Sequence, residues 1–385
     1  DWAHPELGPL HGLIGIQTKV QQNSNMPGTN TIPFIPNYNR FQIGMFAIEK
    51  FNTGNISYEA GIRYDFQHQS IAGREPDNEV FSDQLNFQRM TATVGLSLPV
   101  FRSGTFRSNL GTGWRPPNIS ELFRYGKHSA SIEYGLLRYV RDENNNVIIP
   151  DDVLTQEEKD VNPELSVKWT TSLHMASDRY HSELTVFANY LKDYIYAQPA
   201  GITNSVRGAF PFYVYEQDNT LLWGIDYQAT IPHNDIYSST FSGSYLWARD
   251  IMNNDFFVEM PPPEISYRGT LDIFPDKFER SLVRAVFQYV FRQNQAPRVI
   301  AVEELIEAEE RGENLFAEDD SNFDILAPPE GYFIINLEYT ASKGRFDWSV
   351  QLNNLLNNSY RIYTNRLRYF ANEPGFNLRV GINFR

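Results

Sequence analysis

Side-chain alternation with a period of two runs through most of this chain, and it restricts the fold to strands. Ile56, Tyr58, Ala60, Ile62, Tyr64 and Phe66 alternate with Ser57, Glu59, Gly61, Arg63 and Asp65. The pattern returns along Met90 to Val100, Leu165 to Met175, Val283 to Phe291 and Phe346 to Leu352. It closes the chain, where Phe376, Leu378, Val380, Ile382 and Phe384 alternate with Asn377, Arg379, Gly381, Asn383 and Arg385. Successive strand side chains point to opposite faces, so each stretch has one apolar face. About fourteen such strands can be read, each near the roughly 9–11 residues of a tilted membrane-crossing strand. Helical spacing is clear only at Val299–Arg311, as a short helix inside a loop.

Composition removes several classes. Aromatic residues make up 14% of the 385, which suits strands and interfacial girdles. Cysteine is absent, so disulfides, thiol catalysis and cysteine-held metals are excluded. No apolar run approaches the roughly 20 residues of a membrane helix. Mean hydropathy is -0.44, a soluble-looking value that a barrel with a polar lumen also produces. A net charge of -14 argues against a nucleic-acid partner. The N-terminus, DWAHPELGPL, shows no signal peptide, as expected of a mature chain or of a piece of a longer one.

The connections alternate in length. Asn52–Asn55, Arg102–Gly104, Ser177–Tyr180, His233–Ser238, Pro275–Phe278 and Ser342–Arg345 are short. Between them, Ser70–Asn86, Pro116–Glu164, Arg249–Ser266, Gln293–Glu330 and Ile362–Pro374 are long, and Ala200–Pro211 is of medium length. A sandwich has no reason to sort its loops by parity, whereas a membrane barrel has short periplasmic turns and long outer loops. The expectation is an all-β, antiparallel transmembrane β-barrel occupying 1–385, with both ends of the chain on the periplasmic side.

Particular phrases carry a resemblance. Asn109–Phe123, NLGTGWRPPNISELF, resembles the strand-and-loop signature of TonB-dependent outer-membrane receptors. Asn162-Pro163-Glu164-Leu165, Gly61–Asp65 (GIRYD) and Gln351–Arg361 (QLNNLLNNSYR) resemble other elements of that family, in the expected order. Asn365–Gly375, NRLRYFANEPG, resembles the last outer loop of one iron-complex branch. The resemblance implies a twenty-two-stranded barrel around an N-terminal plug. The plug and about eight strands are not in this chain, so a missing strand is expected to pair with the final one. It further implies active import of a ferric siderophore or other iron complex, driven through the plug by a TonB-type energy-transducing complex in the inner membrane. Outer-membrane lipid, the plug, the missing strands and the iron chelate are the implied partners, in a Gram-negative outer membrane. A self-contained passive porin-like barrel and a secreted all-β binding or adhesion protein are the alternatives.

The binding candidates are basic and aromatic loop residues, because arginine forks suit carboxylates and catecholates and aromatic rings make flat walls. Arg115 lies in Trp114-Arg115-Pro116-Pro117, where the prolines also serve as strand terminators. Arg124, Tyr125, His128, Arg138 and Tyr139 stand together in the loop Arg124–Arg141. Arg366, Arg368 and Tyr369 form a second cluster, suited equally to loop packing, and Arg207 lies in a shorter loop. The acidic runs Asp142–Asp160 and Glu303–Asp324 read as solvated faces. No catalytic, cofactor or metal motif is present: H-E-x-x-H, G-x-S-x-G and G-x-x-x-x-G-K-[ST] are all missing. The chain is therefore read as a non-enzyme without a cofactor.

Overall fold

A computed structural model describes residues 1–385 except 7, 27, 29–31, 76, 78, 129–130, 206–207, 314, 316–321 and 385. The side chains of 128, 204–205, 208–209 and 309 also lie outside the description. Fourteen long strands form one sheet: β1 Leu10–Asn23, β2 Asn37–Thr53, β3 Ile56–Arg74, β4 Val80–Val100, β5 Gly104–Arg115, β6 Glu164–Ser177 and β7 Tyr180–Ser205, then β8 Gly208–Pro232, β9 Tyr237–Asp250, β10 Glu264–Asp272, β11 Arg280–Val290, β12 Tyr332–Lys343, β13 Phe346–Asn353 and β14 Asn377–Phe384. Every strand pairs antiparallel with the next one in sequence. A short strand, Trp2–Ala3, pairs with the other edge of β1 at Ile14 and Leu13. Among the described residues β1 and β14 do not pair with each other.

Alternation sets the two faces. On β3, Tyr58, Ile62 and Tyr64 are exposed, while Asp65, Gln67, Gln69 and Ile71 of the opposite face are buried. On β14, Leu378, Val380, Ile382 and Phe384 are all exposed. Phe241, Tyr267 and Phe287 oppose one another across β9, β10 and β11, with ring centroids 4.9 and 6.0 Å apart. Phe333 of β12 extends the row, 6.4 Å from Phe287. Cross-strand aromatic pairs of this kind stabilise a sheet and suit a lipid-facing surface.

Connections 54–55, 101–103, 178–179, 233–236, 273–279 and 344–345 lie at one end of the sheet. Connections 24–36, 75–79, 116–163, 251–263, 291–331 and 354–376 lie at the other. Gly54 and Gly344 adopt φ of 57° and 59° in two of the tight turns, a left-handed conformation that costs glycine little. Two expectations are corrected. The supposed loops Ser70–Asn86 and Ala200–Pro211 are mostly strand: the β3–β4 ladder runs to Arg74 and Val80, and the β7–β8 ladder to Ser205 and Gly208. Polar sequence made these segments look like loops, but continued pairing satisfies their backbone groups whatever the side chains.

The long 116–163 connection is folded, not extended. It carries α1 (Ile119–Phe123) and α2 (Gln156–Lys159). Ile119, Leu122, Phe123, Leu136, Leu137 and Val161 form a core with Ile71 of β3, Leu85 and Phe87 of β4, and Ile195 of β7. The loop thus covers the polar face of the sheet near its loop end. A third helix, α3 (Val302–Arg311), lies in 291–331 and buries Leu305 against Ile300, Phe323 and Ile325.

Candidate functional site

Five of the ten loop-end residues chosen from the sequence meet carboxylates: Arg115, Arg124, Arg366, Arg368 and Tyr369. Arg115 ends β5. It donates to Glu164 of β6 at 2.6 and 2.7 Å and to Glu121 at 2.7 and 2.9 Å. Pro116 and Pro117 end the strand, and Asn118 caps α1 through a capping box with Glu121. Glu121 therefore both closes the helix start and holds Arg115. Burial works against the Arg115 charge, but the bonds to Glu164 and Glu121 outweigh it and raise its pKa.

Beyond α1 the chain forms a hairpin from the strands Tyr125–His128 and Ser131–Tyr134. Its second strand adds parallel to β8, pairing Ile132, Glu133 and Tyr134 with Phe212, Tyr213 and Val214. The position is open because the β8–β9 ladder stops at Thr220 and Asp250, and an unpaired edge is a liability. Alternation then gives the patch two faces. Glu133 and Tyr213 share one; Tyr125, Lys127, Ile132, Tyr134, Phe210 and Phe212 share the other.

The Glu133 face is an ionic junction. Glu133 is buried and accepts from Ser131 Oγ at 2.6 Å, from Arg124 and from Arg366 at 2.6 Å. Burial opposes its ionisation, yet Ser131, Arg366 and Arg124 lower its pKa below the usual value. Arg366 also donates to Glu259 at 3.0 and 3.3 Å and lies 4.3 Å over the Tyr213 ring. Glu259 holds this position with a left-handed φ of 60°, a strain that persists where surroundings enforce it. Its pKa is raised, by burial first, against the lowering effect of Arg366.

Arg368 is fully enclosed. It pairs with Asp324, whose side chain is equally buried, and donates to the Leu326 carbonyl at 3.2 Å. The Tyr369 hydroxyl donates to Asp324 at 2.9 Å and lies 3.1 Å from that of Tyr213. Burial raises the Tyr369 pKa. Asp324 belongs to an acidic run expected to be solvated; its burial with Arg368 corrects that reading at this residue, because a buried charge needs a charged partner.

Arg138 and Tyr139 are buried within the 116–163 loop. Arg138 donates to the carbonyls of Phe123 and Arg74 at 3.3 and 3.1 Å and stacks against Phe81 and Tyr125. Burial lowers its pKa to about 10. The Tyr139 hydroxyl donates to the Tyr215 carbonyl at 2.8 Å. Tyr125 is half-buried and meets Tyr134 edge to face at 5.1 Å. The His128 backbone lies in the hairpin, but its side chain is outside the description, and Arg207 lies outside the described residues.

Glu133, Glu259, Asp324, Tyr213 and Phe212 were not chosen from the sequence. The alternation of Ser131-Ile132-Glu133-Tyr134 is a signal for the hairpin; nothing local marks Glu259. Among the described residues no group of three or more His, Asp or Glu is placed to hold a metal.

Comparisons with known proteins agree with this architecture. No curated protein matches the chain. The solved copper transporter OprC is similar over 98% of this chain and 55% of its own, at 13% identity and a TM-score of 0.69. The FrpB iron transporter from Neisseria meningitidis, F3-3 variant, matches over 99% and 53%, at 9% identity and a TM-score of 0.60. The ferric yersiniabactin uptake receptor FyuA from Yersinia pestis matches over 99% and 52%, at 12% identity and a TM-score of 0.59. At these identities the likeness is one of fold, and the chain spans about half the length of each. Residues 10–357 match the family described as TonB dependent receptor-like, beta-barrel, and the chain belongs to that family.

Proposed function

We propose that this chain is the larger part of the wall of an outer-membrane receptor that imports a scarce metal complex, most directly an iron chelate. The loop end, 24–36 through 354–376, faces the exterior, and the turn end faces the periplasm. A plug and further strands complete the barrel, and a TonB-type complex in the inner membrane drives import through the plug. The observation that carries this reading is the contrast between ends: tight turns at one, ion-paired and core-bearing loops at the other. Rigid scaffolds commonly present binding groups on such loops. Within it, Arg115, Arg124, Arg138, Tyr139, Arg366, Arg368 and Tyr369 assemble the loops, and Tyr125 belongs to the ligand-facing surface.

The test is uptake of radioactive iron chelates by iron-starved cells with and without the gene, before and after an uncoupler. Loss of uptake in both the deletion and the uncoupled cells is expected. Uptake that survives uncoupling points instead to a passive channel, and abundance that ignores iron starvation removes the iron assignment.

A further inference from the structure

One part of the turn end joins exposed rings to unpaired cations, and its place in the membrane rests on the orientation proposed above. The 273–279 and 344–345 connections are neighbours because β11 pairs with β12. They are tied together. The Glu279 N–H donates to the Ser342 carbonyl at 3.0 Å, and the Gly344 N–H donates to the Glu279 carboxylate at 3.0 Å. A continuous aromatic patch stands beside them. The Phe274 and Phe278 rings are 6.2 Å apart, and Phe278 meets Trp348 edge to face at 6.2 Å. Phe346 continues the patch to Trp348 at 5.9 Å and to Phe384 at 5.3 Å. Phe274, Phe346 and Phe384 are exposed. In the proposed orientation the patch meets the inner leaflet of the outer membrane, at the depth where rings and headgroups adjoin.

Two lysines rim the patch. Lys277 Nζ lies 5.7 Å from the Phe274 ring, and Lys343 Nζ lies 5.6 Å from the Phe278 ring. Lys343 shares the apolar face of its hairpin, opposite Phe346. Both lysines are exposed, as is Arg345 in the turn between β12 and β13. None of the three makes an ion pair among the described residues. The acids of the turn leave them free: Glu279 is engaged by Gly344, and Asp276 pairs with neither lysine among the described residues. Lys50, near the β2–β3 turn, is by contrast spent on Glu59 at 3.1 Å. Long alkyl stems let an ammonium reach a headgroup while the rings beneath it lie against acyl chains. A headgroup of net negative charge gains from both lysines, whereas a zwitterionic one sets its own ammonium against them.

We propose that the 273–279 and 344–345 turns hold an anionic phospholipid of the inner leaflet. Its phosphodiester lies between Lys277 and Lys343, and its acyl chains run along Phe278, Phe346 and Trp348.

The test is native mass spectrometry of the complete receptor in detergent micelles, titrated with phosphatidylglycerol and separately with phosphatidylethanolamine. Phosphatidylglycerol should bind about 10-fold or more tighter, and Lys277→Gln and Lys343→Gln should each weaken it about 5-fold. Neither substitution should change phosphatidylethanolamine binding, and Lys50→Gln should change neither lipid. Phe278→Ala should weaken both lipids, and heat-modifiable gel mobility shows that each variant is folded. Equal binding of the two lipids overturns the proposal and leaves the import reading standing. So does a preference that survives the double variant Lys277→Gln, Lys343→Gln. Soluble glycerol 3-phosphate should not displace the lipid; displacement together with indifference to Phe278→Ala makes this a free phosphate-ester site and overturns the proposal too. The orientation is read separately. Asp276→Cys, in a chain without other cysteine, should react with an impermeant maleimide only after the outer membrane is permeabilised. Reaction on intact cells overturns the orientation, and this proposal with it.

Discussion

The Arg366 guanidinium donates to Glu133 at 2.6 Å although the two residues are 233 positions apart. The same guanidinium holds Glu259 of the 251–263 loop, and two residues on Arg368 holds Asp324 of the 291–331 loop. One short turn of 3-10 helix, Arg366–Tyr369, therefore pins three other loops.

Removing Arg366 takes one of two cations from buried Glu133, which keeps Arg124, and takes the partner of half-buried Glu259. Arg366→Ala should cost about 1.5–3 kcal/mol. Protease cutting in 116–163 and 251–263 should rise together, and Arg366→Lys should restore little, since an ammonium cannot fork across two acids. Cutting in one loop only would break the link.

Arg368 and Asp324 give a sharper case, with both side chains fully enclosed. Arg368→Met alone and Asp324→Leu alone should each destabilise by about 3–5 kcal/mol, whereas the double substitution should recover most of that loss. A double-mutant cycle on thermal unfolding measures it; simple additivity would show the pair to be uncoupled.

Acid should loosen the junction through Glu133. Its pKa is lowered in the fold from 4.5, so its contribution is fully present above that value. It is lost as pH falls through the lower, folded pKa. Glu259 has the opposite sign: its raised pKa means that protonation relieves a buried charge. Loop hydrogen exchange should therefore stay protected through the Glu259 titration and rise only below about 4.5. Glu133→Gln should abolish that acid step.

The closing strand tests the orientation of the sheet. Spin labels at Leu378, Val380 and Ile382, all exposed, should collide with oxygen dissolved in lipid. Labels at Asn377, Arg379 and Asn383 should collide with a water-soluble nickel chelate instead. A uniform response along β14 would contradict the two-faced strand.

Much of the fold was readable without coordinates. Period-two alternation is a local property, so the spacing of Ile56 to Phe66, or of Phe376 to Phe384, specifies a strand and its apolar face directly. Loop parity needs only the order of strands and turns, and the helix read at Val299–Arg311 appears as Val302–Arg311. The arginines and tyrosines of the loops were also visible as residue types. Their partners were not. Arg366 finds Glu133 and Glu259 because antiparallel ladders carry three distant loops to one end of the sheet, and no local pattern encodes that meeting. The inward fold of 116–163 likewise depended on apolar residues beneath it in β3, β4 and β7. Sequence alone determined strand and face, because these follow from neighbours a few residues apart. Tertiary structure decided which charges meet and which loops fold over the sheet, because burial and pairing depend on what the rest of the chain brings alongside.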